Sequence, residues 1–371
     1  MRRLHLLNKA LGIVNVNPAR EKAKEARVKR RIGVDRVNRQ WLLKRRPSGS
    51  ALATDFEYRE RRLGAVDLLP GHLIVKNEVF IMAPTMRNWM SPPGNNLYPS
   101  IPLGDPVRAL AAGVVVESAD PAFTAGQRVF ATSSWQDYVV IDGQVSGLRT
   151  LSPTTSYEDA LGPLGMNAAT AYVGMTMVGM PVSGETVVVS AAAGSTGSIA
   201  AQTARLLGCR VIGIAGGAEK CRWLLDECHL DDAIDYTTGL KEHLNDACPD
   251  GIDVYFDNVG GPTLQVAVDM MRTGGRIVLC GQISEYDSGG EIPGPTNMMR
   301  FIYGGIRMQG FTLRNFPEAG PLAERQLRKW LDAGLIAHRE DVRHGFGLLP
   351  DAFGSLFDGS HRGTLMVMAH A

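Results

Sequence analysis

The sequence predicts an α/β protein in two units, a doubly wound parallel sheet and a smaller, partly closed antiparallel β domain. Three observations carry that expectation. The chain has 371 residues, 44% of them apolar and 7% aromatic, enough to fill two ordinary cores at about 150 residues per domain. Between residues 37 and 163, short strand-like runs are parted by Pro and Gly turns, the spacing of an antiparallel β unit. From Leu161 onward the rhythm becomes strand, glycine turn, helix, strand, which is how a parallel sheet covered on both faces is built. The 42 glycines and 20 prolines follow no fixed period, so fibrous, low-complexity and repeat architectures fall away.

Taken in order, residues 1–36 form a basic N-terminal extension. The run EKAKEARVKRR has no apolar stripe and reads as a solvated helix or a loose arm. Residues 1–46 hold 15 Lys and Arg against Glu21, Glu25 and Asp35, a charge of +12, which leaves −11 for the other 325. A surface for nucleic acid would have to lie in that stretch alone, and none is expected on the body. Met1 to Val16 lacks a convincing cleavage pattern, because Asn8 and Lys9 interrupt its apolar run.

Residues 37–163 supply the strand-like pieces WLL, LIVKNEVF, AGVVVES, QRVF and DYVVID. Residues 164–337 carry TVVVSAAAG, SIAAQTARLLG, CRVIGIAGG, IDVYFDNV, GRIVLCG and IRMQGFTL, and close with a helix from Pro321 to Leu335. The apolar strands alternate with helix-length segments. Residues 338–371 turn strand-like again and are expected to return to the first domain. The five cysteines lack the spacing of a disulfide framework or a zinc site, which favours a reducing compartment and a cytoplasmic location. No window of about 18 apolar residues suggests a membrane span.

The turn Ala191-Ala192-Ala193-Gly194-Ser195-Thr196-Gly197 follows a strand-like run and opens an apolar helix, the context of a dinucleotide-binding turn in a Rossmann sheet. Without side chains at Gly194 and Gly197, a pyrophosphate can sit against backbone N–H groups at the helix N-terminus. The strict G-x-G-x-x-G form is not met, since Ala192 holds the first glycine position; an ordinary tight strand–helix turn is the alternative. Further on, where an NAD enzyme places an acid on the ribose, stand Ala215-Gly216-Gly217 and then Lys220. Small residues and a cation accommodate a 2′-phosphate that a carboxylate would repel, which favours NADPH over NADH; Lys220 and Arg222 as solvated helix charges are the plain alternative. Residues 37–163 contain no Cys and one histidine, His72, so a catalytic zinc site cannot be built there and no metal is expected. A nucleophile elbow is missing as well.

The strings AAAGSTGS, GIAGGAEKC, YFDNVGG (255–261) and CGQISEY (280–286) together resemble the zinc-independent medium-chain dehydrogenases/reductases, and more closely their branch of NADPH-dependent alkenal/one reductases. The likeness runs from about Asn38 to the end. It implies a GroES-like antiparallel domain beside the Rossmann domain, and reduction of the C=C bond of an enone or enal. Hydride goes to the β-carbon, and the enolate is stabilised and then protonated at the α-carbon.

The resemblance also implies roles. Gly194, Ser195, Thr196 and Gly197 would hold the pyrophosphate; Lys220 and Tyr236 would meet the 2′-phosphate. Asn258 and the loop containing Cys280, Gly281, Ile283 and Tyr286 would line the cofactor, with Phe311 and Leu313 flanking the nicotinamide. Tyr286 is the tyrosine implied near the reacting carbonyl, so it is the candidate catalytic residue. Thr85, Met86 and Arg87 would line the substrate pocket, and a homodimer is implied. Two departures stand out. The family's DPYMRGRM reads APTMRNWM here, with Thr85 for a pocket tyrosine, and its GxNxGK becomes Gly359-Ser360-His361-Arg362-Gly363-Thr364, which removes an asparagine and a lysine beside the cofactor and leaves Arg362 as a candidate replacement charge. A zinc-independent NADPH quinone reductase is the rival within enzymes. A noncatalytic nucleotide-binding partner protein, docking through its basic arm, is the rival from another class.

Overall fold

A computed structural model describes residues 30–94, 99–145, 147–286 and 294–370. Strand β1 (Arg30–Leu43) pairs antiparallel with β2 (Phe56–Leu68) in a long two-stranded ribbon. The extension drawn over residues 1–36 therefore ends early: Arg30 to Arg36 already belong to a strand, and residues 1–29 lie outside the described part. The sequence reading passes over β2 because FEYRERRLGAVDL is wet on both faces in its middle stretch and so lacks the alternation that marks a half-buried strand. The ribbon's base is anchored where Trp41 meets Tyr58 edge-on at 5.3 Å and Arg39 pairs with Asp137 at 2.8 Å.

The first sheet continues with β3 (His72–Ile81), a short helix α1 (Met86–Trp89), β4 (Arg108–Ser118), β5 (Arg128–Ser134), β6 (Tyr138–Asp142) and β7 (Arg149–Thr150). Helix α2 (Met166–Val173) runs into a π-turn at Gly174–Gly179 and leads to the second sheet. There β8 (Thr186–Val189), α3 (Ser195–Leu206), β9 (Arg210–Ala215), α4 (Ala218–Asp226), β10 (Asp232–Asp235), α5 (Leu240–Ala247), β11 (Ile252–Asp257), α6 (Gly261–Met270) and β12 (Met271–Leu279) alternate; α7 (Met299–Gly304) and β13 (Arg307–Gly310) complete the sheet. All its strands are parallel, in the order β10-β9-β8-β11-β12-β13. Val187, Val188 and Val189 are buried completely, as a strand with helices on both faces requires.

Helix α8 (Ala319–Asp332) closes that unit, ending three residues before the expected Leu335. The chain then returns: β14 (Glu340–His344) and β15 (Thr364–Met368) join the first sheet, β15 pairing antiparallel with β3. Rossmann-type parallel and antiparallel β units are thus both present. Among the described residues no helix is long and apolar enough to cross a membrane.

Candidate active site

In a doubly wound sheet, ligands sit beyond the carboxyl ends of the strands where the strand order reverses. Here that point lies between β8 and β11. Each strand ends a buried apolar run on a polar residue, Ser190 after Val189 and Asp257 within β11, and both are fully buried. Asn258 locks the two ends together: its backbone N–H donates to Ser190 Oγ at 2.8 Å, and its side-chain Nδ2 donates to the Ser190 carbonyl at 2.7 Å. Asp257 accepts from Ser190 Oγ, Tyr255 OH and the amides of Val259 and Gly260, each at 3.1 Å. Burial pushes the Asp257 carboxyl above its ordinary pKa, while these donors oppose the shift.

From β8 the chain makes the turn to α3. Ala191 adopts a left-handed φ of 46°, a conformation that costs an alanine about 1 kcal/mol or more, and its carbonyl accepts from the Gly194 N–H at 3.0 Å. A Cβ at Gly197 would stand 2.2 Å from the Ala191 carbonyl oxygen, so only glycine lets the helix start this close to the turn. Gly194 is the N-cap and offers no side-chain cap. The first-turn amides of Ser195, Thr196 and Gly197 take no partner among the described residues. They present an uncapped helix N-terminus of a twelve-residue helix to the crevice.

The loop after β12 lies against the end of β11. Cys280 and Gly281 N–H groups donate to the Asp257 carbonyl at 2.9 and 3.1 Å, and Ile283 N–H donates to the Asn258 carbonyl at 3.2 Å. Tyr286 folds back over this loop, its hydroxyl accepting from Gln282 N–H at 3.3 Å. Burial raises the Tyr286 phenol's pKa and pushes the Cys280 thiol up to about 12, so both keep their protons near neutral pH. Phe311 follows β13, and its ring lies where a Cβ on Gly174 would come within 2.4 Å; it meets Phe316 edge-on at 6.4 Å, and Leu313 packs in the same cluster.

At the other end, Tyr236 covers Gly216, whose Cβ would meet the ring at 3.0 Å. Lys220, near the start of α4, donates to the Gly359 carbonyl at 2.7 Å, and burial lowers its pKa. The return segment completes the wall: Gly363 bridges Gly194, and Thr364 Oγ1 donates to Ser195 Oγ at 2.9 Å, which also accepts from Asn167 Nδ2 at 3.0 Å. His361 is held by the Ser355 carbonyl at 3.2 Å, with burial lowering its pKa.

The pocket residues expected from the first domain fare differently. Met86 is fully buried in that domain's core, and Arg87 is 3% exposed. The Arg87 guanidinium donates to the carbonyls of Gly49 at 2.9 Å and Pro47 at 2.8 Å and to Ser91 Oγ at 3.1 Å. Met86 and Arg87 pack within their own domain in this structure, whereas Thr85 is half-buried. Ser190, Asn167 and Asp257 are not among the residues singled out from the sequence. For two of them a signal existed, since a polar residue that ends an apolar strand marks its carboxyl end. Among the described residues no group of three or more His, Cys, Asp or Glu side chains is placed to hold a metal ion. Two concavities of about 480 and 380 Å³ lie away from the crevice, and neither is lined by a carboxylate, cysteine or histidine.

Comparison with known proteins follows this geometry. A family model described as the N-terminal domain of oxidoreductase matches residues 39–148, and one described as zinc-binding dehydrogenase matches residues 195–328, within the parallel-sheet unit. Prostaglandin reductase 1 of Oryctolagus cuniculus is 36% identical over 88% of this chain and 91% of its own length. The NADP(+)-dependent 2-alkenal reductase of Nicotiana tabacum is 33% identical, covering 89% and 97%. The crystal structure of CurA from Vibrio vulnificus in complex with NADPH superposes with a TM-score of 0.83 at 33% identity, covering 90% of this chain and 99% of CurA.

Proposed function

The chain belongs to the zinc-independent medium-chain dehydrogenase/reductase family, in its alkenal/one reductase branch, and from that premise we propose how its crevice reduces α,β-unsaturated ketones and aldehydes. It is an NADP-dependent oxidoreductase acting on C=C bonds. The uncapped first turn of α3, with Lys220 and Tyr236 at the far end of the same crevice, is the observation that carries the assignment of residues. The amides of Ser195, Thr196 and Gly197 fit a pyrophosphate, for they are donors without acceptors at a point where a side chain on Gly197 would block the turn. Lys220 and Tyr236 take the 2′-phosphate. Asn258, Cys280, Gly281, Ile283, Phe311 and Leu313 line the dinucleotide's other half.

When bound, NADPH supplies the hydride that goes to the substrate's β-carbon. The chain meets the negative charge that then develops on the carbonyl oxygen. Tyr286 is the donor for it: its phenol keeps its proton, and because its oxygen accepts from Gln282, the O–H remains to donate. Donors of this kind contribute about 2.7–4 kcal/mol to the transition state. Tyr286→Phe is expected to lower kcat about 100-fold and to leave the NADPH dissociation constant within about twofold, read by stopped-flow turnover and fluorescence titration. Unchanged kcat would remove Tyr286 from the mechanism. Parallel assays with 2-alkenals, enones and simple quinones separate this reading from a quinone reductase, which would favour the quinones.

The protein works as a homodimer on a small-molecule substrate in this reading. The outer edge of β13 pairs with no strand among the described residues, and beside it α7 exposes Ile302 and Tyr303 at 71% and 80%. Such an edge and apolar patch call for a covering partner, here a second copy. Ile302→Arg should shift the mass in light scattering from dimer to monomer. A cytoplasmic location agrees with five unpaired cysteines.

A further inference from the structure

The return segment brings more charge to the crevice than Lys220 alone. Arg362 Nη2 lies 2.7 Å from Glu219 Oε2, and Arg339 Nη1 lies 3.6 Å from the other oxygen of the same carboxylate. Glu219 immediately precedes Lys220, whose Nζ is tied to Gly359 of that segment. Two guanidiniums thus flank one carboxylate, with the Lys220 ammonium carried by the next residue. Asp358, also near Lys220, is committed to the Ser360 N–H at 2.8 Å. Arg339 is further engaged, with its guanidinium over the Trp223 ring at 5.1 Å. Arg362 has Glu219 as its side-chain partner, and both are more than half exposed, so the pair adds little to stability.

We propose that Arg362, delivered by the C-terminal return segment, is a second cation for the cofactor's 2′-phosphate and a determinant of NADPH selectivity, with Glu219 holding its guanidinium in place. A phosphomonoester carries about −1.5 to −2 at pH 7. Lys220 and Arg362 match that charge, and Arg339 offsets Glu219. The guanidinium fork suits phosphate oxygens, and it reaches the site only because Gly363, with φ 65°, turns the segment alongside Gly194. Selectivity is therefore shared between the two domains rather than written in the Rossmann unit alone.

This inference rests on the crevice being the NADPH site, and calorimetry on the full chain with 2′,5′-ADP and 5′-AMP separates the two. Wild type should prefer 2′,5′-ADP. Arg362→Ala should weaken 2′,5′-ADP about tenfold and leave 5′-AMP unchanged. Adding Glu219→Gln to that variant should restore several-fold, because the Glu219 carboxylate, left with Arg339 alone at 3.6 Å, no longer faces the phosphate. Arg362→Ala binding 2′,5′-ADP like wild type while Lys220→Ala does not, or losing both ligands equally, would overturn the role of Arg362. Wild type showing no preference between the ligands, or no heat with either, would instead overturn the crevice assignment.

Discussion

The turn at Ala191 to Gly197 and the segment at Thr85 to Arg87 were both expected to face a ligand, yet the fold treats them in opposite ways. The turn ends on backbone amides of α3 that have no partner among the described residues, beside a strand-order reversal. In the other segment, Met86 is fully buried and Arg87 donates to two carbonyls and a hydroxyl of its own domain. A site made of backbone needs only a local conformation, and glycine announces it. A site made of side chains needs to know which way each one points, and that is settled by everything packed around it.

Arg87→Ala tests the contrast with the largest expected effect. Leaving the carbonyls of Pro47 and Gly49 without their donor should cost about 3 kcal/mol of stability, seen as a lower denaturant midpoint, with the KM for enone unchanged in the protein that remains folded. A raised KM at full stability would return Arg87 to the pocket. Gly197→Ala comes next. Its Cβ would collide with the Ala191 carbonyl, a clash worth about 1–3 kcal/mol, and because the helix start must shift, NADPH binding by calorimetry should weaken more than the denaturant midpoint falls. Retained affinity would mean that the turn does not hold the cofactor.

The smallest effect is a pH dependence at the seam between the units. His338 Nδ1 lies 2.8 Å from Glu340 and its Nε2 lies 3.8 Å from Asp159. The hydrogen bond to Glu340 raises the folded-state pKa above the ordinary histidine value. The sign follows from linkage: this contribution is fully present below the unfolded pKa and disappears as pH climbs through the raised folded value. The denaturant midpoint should therefore fall modestly as pH rises above the ordinary histidine pKa of about 6.5, and His338→Gln should flatten that change. An identical slope in the variant would assign the effect to other groups.

How much was legible followed the same division. The β8, β9 and β11 runs stand out because parallel strands covered on both faces are mostly apolar, whereas β2, charged and wet, carries no such mark. Lys220, Tyr236, Asn258 and Tyr286 are candidates that the family resemblance of ordered motifs implies; the structure ties Asn258 to Ser190 and Lys220 to Gly359, and their roles toward the cofactor are proposed. Arg362 was noticed as a spare charge, but its approach to Glu219 across 143 positions of sequence could not be read from either neighbourhood.

By itself the sequence determined the alternation of strands and helices, the unusual glycines at the first turn of α3, and the shortage of ligands for zinc in the first domain, since each depends on residues close together in the chain. Tertiary structure alone decided that Met86 and Arg87 turn inward, that Ser190 and Asn258 fasten two distant strand ends, and that the return segment brings Arg362 to Glu219 and Thr364 to Ser195. Those outcomes depend on contacts between segments far apart in the chain, whose geometry is fixed only when those segments pack together.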